Sequence, residues 1–374
     1  MTKAASLYLD VLRLAAALVV FVVHAQYLLP GSIPLLWRLG WLGGEAVTVF
    51  FVLSGFVIAH VVHTRETRAA DYLASRLARL YSVVLPALML TALLDILGAA
   101  VAPSEYGAPL GWGMFASLFF VNELWFTSAP PLSNAPFWSL GYEFWYYMLY
   151  AAQRYIPDRR RRWTTLLVLG ALCGPKILLL LPVWQLGVVA YAITRRQPLR
   201  PGMAMLCAVV SAIGLYLLVA SDAQADWREA TIAALGPVAQ RLGPSSHMLY
   251  TYAFGLLTTL HLIAMVALAP LFGRLWSAGE RVIQVTSAQT FAIYLFHYPL
   301  LKFLVAVTGG LGALRGPVAI ALTLGVIAML GSLGERLKPR LRRWFRARLA
   351  RGPGVGPEVG VVDGSGASGE QRVG

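Results

Sequence analysis

The sequence predicts an all-α integral membrane protein of about ten transmembrane helices with both termini cytoplasmic. Three observations point there. First, 58% of the 374 residues are hydrophobic and only 13% are charged, against about 25% charged in an ordinary soluble domain. Second, apolar runs long enough to cross a bilayer recur along the whole chain. Third, the basic residues fall in alternate loops. Lys and Arg number 31 against 17 Asp and Glu, for a net charge of +14. In a soluble chain that excess would suggest nucleic acid. Here topology accounts for it, and no nucleic-acid partner is expected.

A spanning helix needs roughly 20 mainly apolar residues. The candidate spans are 7–29, 41–63, 78–101, 135–154, 163–175, 177–194, 203–220, 248–270, 287–308 and 316–335. The fifth is the shortest. The stretch 111–127 is apolar but Gly-rich, and reads as interfacial or re-entrant. With the N-terminus inside, the inner loops come out basic: Arg65, Arg68 and Arg76; the run Arg159 to Arg162; Arg195, Arg196 and Arg200; and the stretch from Arg336 to Arg351. The outer loop 102–134 has no Lys or Arg, only Glu105 and Glu123. Lys176 and Arg315 are the small exceptions. The chain therefore divides into a transmembrane domain, 1–338, a basic cytoplasmic segment, 339–351, and a Gly-rich tail, 352–374, expected to be disordered. Neither end reads as a soluble catalytic domain, so any chemistry belongs to the membrane domain. The first span reads as retained rather than cleaved. Cys173 and Cys207 have no metal-ligand spacing, and no metal site is expected.

Ionisable residues inside spans are expensive and mark functional sites by default. In the first span, Arg13 and His24 are eleven residues apart, three turns plus about 20°, so they share a face. About 16 Å of axis separates them. One reading is an Arg that snorkels to headgroups and a His that bonds a neighbouring carbonyl. The other is one elongated ligand, its anion at Arg13 and its reacting end at His24, since His transfers protons near neutrality. In the second span, Ser54-Gly55 is a small pair suited to close packing. Glu45 is a partner for a His or an interfacial acid. Arg76 and Arg79, three apart, form either a membrane anchor or a fork for phosphates. Glu143 lies among Trp138, Tyr142, Trp145, Tyr146 and Tyr147. An interfacial aromatic belt covers part of that cluster. It leaves the carboxylate unexplained, and aromatics around an acid also suit a sugar. His297 lies mid-span beside Pro299 and reads as structural or as part of a site, whereas His261 reads as structural.

Taken together, these stretches resemble the acyltransferase 3 family, membrane-bound O-acyltransferases of bacterial surface sugars and some secondary metabolites. The resemblance rests on Arg13 and His24, on FFVLSGF at 50–56, on Arg76 and Arg79, on WSLGYE at 138–143 and on IYLFHYP at 293–299. Five motifs in order cover about 330 residues. Val11 stands where the family pattern usually has Gly, and Tyr146-Tyr147 where it has Phe-Tyr. The resemblance implies transfer of an acyl group, acetyl foremost, from cytoplasmic acyl-CoA to a hydroxyl of a carbohydrate or glycosylated acceptor, in the bacterial inner membrane. It raises Arg13, Arg76 and Arg79 as CoA ligands, and His24 as general base or acyl-carrying nucleophile. Glu143 would orient His24 or bind the acceptor, with Trp138, Tyr142, Tyr146 and His297 beside it. The rival is a sugar or small-molecule transporter without chemistry, weakened by the absence of a legible inverted repeat.

Overall fold

The computed structural model describes residues 1–31, 39–107, 110–273 and 278–350, and no strand occurs among them. The helices are α1 (Lys3–Leu28), α2 (Gly43–Thr64), α3 (Ala69–Val101), α4 (Trp112–Leu118), α5 (Trp138–Tyr155), α6 (Arg159–Cys173) and α7 (Pro175–Arg196). They continue as α8 (Pro201–Ala220), α9 (Ala223–Leu235), α10 (Pro237–Arg241), α11 (Met248–Leu268), α12 (Glu280–Ala288), α13 (Thr290–Val307) and α14 (Arg315–Ala350). Local chemistry sets several starts. Thr2 caps α1 by accepting from Ala5 N at 3.2 Å, and Asp158 caps α6 by accepting from Arg161 N at 2.7 Å. Pro175, Pro201 and Pro237 open their helices, where a missing N–H costs nothing.

Eight helical segments among the described residues are long and apolar enough to cross a membrane: α1, α2, α3, α7, α8, and the segments containing α11, α13 and α14. The other two expected spans are helices of a different character. Helix α6 has 15 residues, about 22 Å of rise against a hydrocarbon layer of about 30 Å. Helix α5 is rich in Tyr and Trp because much of it is inside the protein: Tyr142, Tyr146 and Tyr147 are fully buried. Three boundaries also shift. Helix α3 starts nine residues before the expected span, at Ala69, because its amphipathic first turns continue past the apolar layer. The expected span 287–308 is broken at Gln289, where α12 ends and α13 begins. Helix α14 runs through Pro339 to Ala350, so the basic stretch expected from 339 continues a membrane helix. Arg346 in that stretch pairs with Asp71 of α3 at 2.7 Å, and Phe345 stacks on Tyr81. The Gly-rich tail lies outside the described residues.

Helices α2 and α7 cross with their backbones almost touching. A Cβ on Gly55 would lie 2.0 Å from the Trp184 carbonyl oxygen, and one on Gly187 would lie 1.9 Å from that of Val52. The stretch 111–127 forms α4 and a loop that re-enters the bundle. Phe120 stacks on Phe144 with ring centres 4.7 Å apart, and Tyr81, well inside α3, donates to the Leu118 carbonyl at 3.0 Å. Phe120, Trp125 and Leu132 are left-handed, with φ of 57°, 54° and 54°. Non-glycine residues pay about 1–3 kcal/mol each for that conformation. A buried polar clamp offsets the cost. Lys176 is fully buried and spends all three protons on Glu123, the Thr127 carbonyl and Ser128.

Candidate active site

Helices α1, α2, α3, α5 and α13 enclose a cavity of about 660 Å³ in the middle of the bundle, lined by Arg13, Phe51, Ser54, Arg79, Glu143 and Tyr294 among others. Glu143 is its central carboxylate. One oxygen, Oε1, accepts from Ser54 Oγ at 2.8 Å and from the Tyr147 hydroxyl. Ser54 in turn accepts from Trp184 Nε1 at 3.1 Å. Three helices therefore hold one carboxylate oxygen, and Oε2 is left to the cavity. Buried carboxylates are tolerated when hydrogen-bonded in this way. Sequence reasoning gave Ser54-Gly55 to packing. Gly55 does pack, while Ser54 positions Glu143. Tyr147, one turn after Glu143, was legible as an i,i+4 partner. Nothing local marks Trp184.

The cavity continues toward the Arg-rich end of the bundle into a cleft of about 700 Å³ lined by Asp10, Arg13, Arg79, Gln284, Glu335 and Lys338, among others. Arg13, Arg79, Thr290 and Phe291 line both spaces, so they form one route. Arg13 bonds Asp10 at 3.3 Å, and Lys338 bonds Glu335 at 3.3 Å. Arg79 makes no ion pair among the described residues; its guanidinium lies 5.9 Å from the centre of the Phe291 ring. Arg76 does not join it. Three residues turn a helix by 300°, which leaves the two side chains 60° apart. Arg76 is buried, bonds Glu66 at 3.0 Å, and lies over the rings of Tyr72 and Tyr147. The fork expected of the pair is thus one available guanidinium and one already occupied.

His24 opens on the other side, into a cavity of about 1340 Å³ at the opposite end of the bundle, shared with Gln26, Tyr27, Trp41, Ala135 and Tyr298. Its Nδ1 lies 2.9 Å from His297 Nε2. His297 is fully buried, and its Nδ1 lies 2.8 Å from the Ile293 carbonyl. A carbonyl only accepts, so His297 Nδ1 carries a proton. With both rings neutral, His297 Nε2 accepts from His24 Nδ1–H. His24 Nε2 then keeps its lone pair. His24 and Glu143 therefore have different partners and line different cavities. Tyr294 stands between them. It lines the Glu143 cavity, its ring centre is 6.4 Å from that of His297, and its hydroxyl contacts Ser139 Oγ at 2.6 Å and the Pro136 carbonyl at 3.1 Å.

The expected aromatic platform is mostly interior. Tyr142 contacts Ser245 Oγ at 3.1 Å and Tyr146 donates to the Ile177 carbonyl at 3.1 Å. Both rings are fully buried and pack on Phe51. Trp138 alone of the three lines a cavity, an outer space of about 760 Å³ with Thr48, Phe51, Gln224, His247 and Tyr250. Glu45 accepts from Tyr250 at 2.8 Å rather than from a His. His261 contacts Ser211 at 3.0 Å. No group of three or more His, Cys, Asp or Glu side chains suited to a metal ion occurs among the described residues.

The sequence profile of the acyltransferase 3 family, an acyltransferase domain, matches residues 6–334. Among curated proteins, the acyltransferase MdmB of Streptomyces mycarofaciens is 30% identical over 175 residues, which make up 44% of this chain and 44% of that protein. The matched region thus spans less than half of that relative. No solved structure matches the chain. The profile takes in every helix that lines the two cavities and all five motifs read from the sequence, so the chain belongs to the acyltransferase 3 family and is a multi-pass membrane protein.

Proposed function

We propose that the protein is an O-acyltransferase that moves an acyl group, acetyl foremost, from acyl-CoA to a hydroxyl of a carbohydrate or glycosylated acceptor. The Arg-rich end faces the cytoplasm of a bacterial inner membrane, with both termini there. A count of eight crossings or of ten leaves the termini on one side. Acyl-CoA enters by the cleft, its phosphates near Arg79, Lys338 and Arg13, and its thin arm runs toward Glu143. The acceptor occupies the His24 cavity from the opposite face.

The observation that carries this reading is the His24–His297 pair. His297, anchored on the Ile293 carbonyl, directs the lone pair of His24 Nε2 outward, where a hydroxyl can give up its proton. That hydroxyl attacks the thioester carbonyl. A C–O bond forms, the C–S bond breaks, and the proton passes through His24 to the departing CoA thiolate, which leaves as the thiol. Glu143, held by Ser54 and Tyr147, acts in the cavity on the donor side rather than on His24.

The test is acyl transfer from radiolabelled acetyl-CoA, in membranes containing wild type, His24→Ala or His297→Ala, to a panel of sugar acceptors. General-base loss costs roughly 10²–10⁴-fold. His24→Ala should remove transfer while folded protein persists, and His297→Ala should lower kcat more than it raises the KM for acceptor. Turnover by His24→Ala at the wild-type rate would overturn the assignment.

A further inference from the structure

Between the Arg-rich ends of α2, α5 and α7 lies a second pocket, of about 490 Å³, lined by Arg154, Arg195, Arg196, Tyr191, Val62 and Val188 among others. It shares no lining residue with the acyl-CoA route. We propose that it binds the phosphate headgroup of an anionic phospholipid, whose glycerol and upper chains lie on its apolar floor.

Charge is the first argument. Three guanidiniums converge from two helices, and none makes an ion pair with a carboxylate among the described residues. Their mutual repulsion is relieved by an anion. Arginine matches a phosphate diester by bidentate hydrogen bonding. The second argument is that the pocket is built. Arg195 Nη1 lies 2.9 Å from His63 Nε2. A guanidinium only donates, so that ring nitrogen is the acceptor in this contact. The contact fixes the Arg195 side chain at the rim. The rings of His63 and His60 pack on Tyr191, which forms the wall. The third argument is shape. Gly55 and Gly187 lock α2 against α7 near mid-helix, and Arg154 arrives from α5 across the gap. Buried Ala59 and Val62 supply the floor. An inorganic phosphate would have no use for an apolar floor. A lipid at the boundary of an anionic leaflet has both ends satisfied, and basic pockets between membrane helices recognise such headgroups.

The experiment is native mass spectrometry of the whole protein released from nanodiscs of phosphatidylcholine with and without phosphatidylglycerol. Wild type, Arg195→Gln/Arg196→Gln and the charge-matched control Arg159→Gln/Arg160→Gln are compared. Wild type and the control should retain phosphatidylglycerol preferentially, and the Arg195/Arg196 variant should lose at least about tenfold in affinity. Arg154→Gln serves as a second, milder variant. No preference in wild type, or equal loss in the control, would overturn the proposal in favour of diffuse surface charge. Inorganic phosphate and adenosine 3′,5′-bisphosphate are titrated in parallel. Protection by the bisphosphate, with no retention of phosphatidylglycerol, would make the pocket a soluble phosphate site and overturn the lipid assignment. None of these readouts depends on acyl transfer, so failure here leaves the reaction untouched.

Discussion

Gly187→Ala should damage both stability and the Glu143 cavity, although Gly187 touches no ligand space. The added Cβ would lie 1.9 Å from the Val52 carbonyl oxygen and 2.7 Å from the Phe56 nitrogen. Real Cβ contacts stay beyond 3.0 Å, and these are backbone atoms that no rotamer change can remove. Helices α2 and α7 must therefore part by about 1 Å. Overpacking of this kind costs about 1–3 kcal/mol, roughly 1–4 °C in unfolding midpoint on the scaling of soluble domains. The same shift stretches the 3.1 Å bond from Trp184 to Ser54 beyond hydrogen-bond range. Ser54 is then less firmly placed to hold Glu143, and acyl transfer should fall by about tenfold or more. Gly55→Ala meets the opposite side of the same contact, 2.0 Å from the Trp184 carbonyl. Once the helices have parted, the second methyl has room, so the double variant should lose little more than the worse single one. Midpoints are read by fluorescence-detected size exclusion after heating in detergent. Wild-type midpoints in both single variants, or strict additivity in the double, would refute the backbone contact as its cause.

Lys176→Met leaves Glu123 buried without its cation and should cost about 3–5 kcal/mol, whereas Lys176→Met/Glu123→Leu should recover much of it; thermal unfolding of the pair decides, and an equal loss in both contradicts the clamp. Arg79→Gln should raise the KM for acyl-CoA about tenfold with little change in midpoint, because its guanidinium faces the route. Arg76→Gln, which breaks a buried pair with Glu66, should lower the midpoint first; the reverse pattern in kinetics and unfolding would defeat the division of roles. Tyr294→Ala should remove the first of the two rings, Tyr294 and His297, between the Glu143 cavity and His24 and raise CoA release in the absence of acceptor, followed by thiol detection. Release at the wild-type rate would mean that Tyr294 is not the barrier.

The sequence exposed what repeats and what is anomalous. Apolar length and Arg placement located the helices, since both follow from the solvent rather than from packing partners. They missed the character of α5, because hydropathy cannot tell a tyrosine facing lipid from one facing a protein core, whereas the shortness of α6 was already legible in its span. Arg13, His24, Arg79 and Glu143 stood out as polar groups in apolar runs, and all four line cavities. Their partnerships did not stand out. The His24–His297 bond spans 273 positions and the Ser54–Glu143 bond 89, distances at which periodicity says nothing. Arg76 and Arg79 show the limit of shared-face reasoning. Helical spacing brought them to one side, but Glu66, in the loop before α3, captured one and left the other.

The wall between the cavities sets an order on any transfer across it. His24 lies beyond Tyr294 and His297 from the Glu143 cavity, with ring centres 6.4 Å and 5.0 Å apart in succession. An acyl group that reaches Glu143 is therefore still two aromatic layers from the base. The Tyr294 hydroxyl closes this wall through Ser139 and the Pro136 carbonyl, contacts worth about 1 kcal/mol each, net. A donor bound at micromolar affinity would supply about 8 kcal/mol, ample to exchange both for contacts with the ligand. Without a donor, the two contacts together, about 2 kcal/mol, keep the wall mostly closed to water from the outer cavity. In the proposed reaction a thioester would be shielded from hydrolysis until an occupant on the donor side displaced Tyr294, so that donor entry would precede attack by the acceptor. The barrier's weakness relative to ligand binding is what allows one tyrosine to serve as both seal and passage.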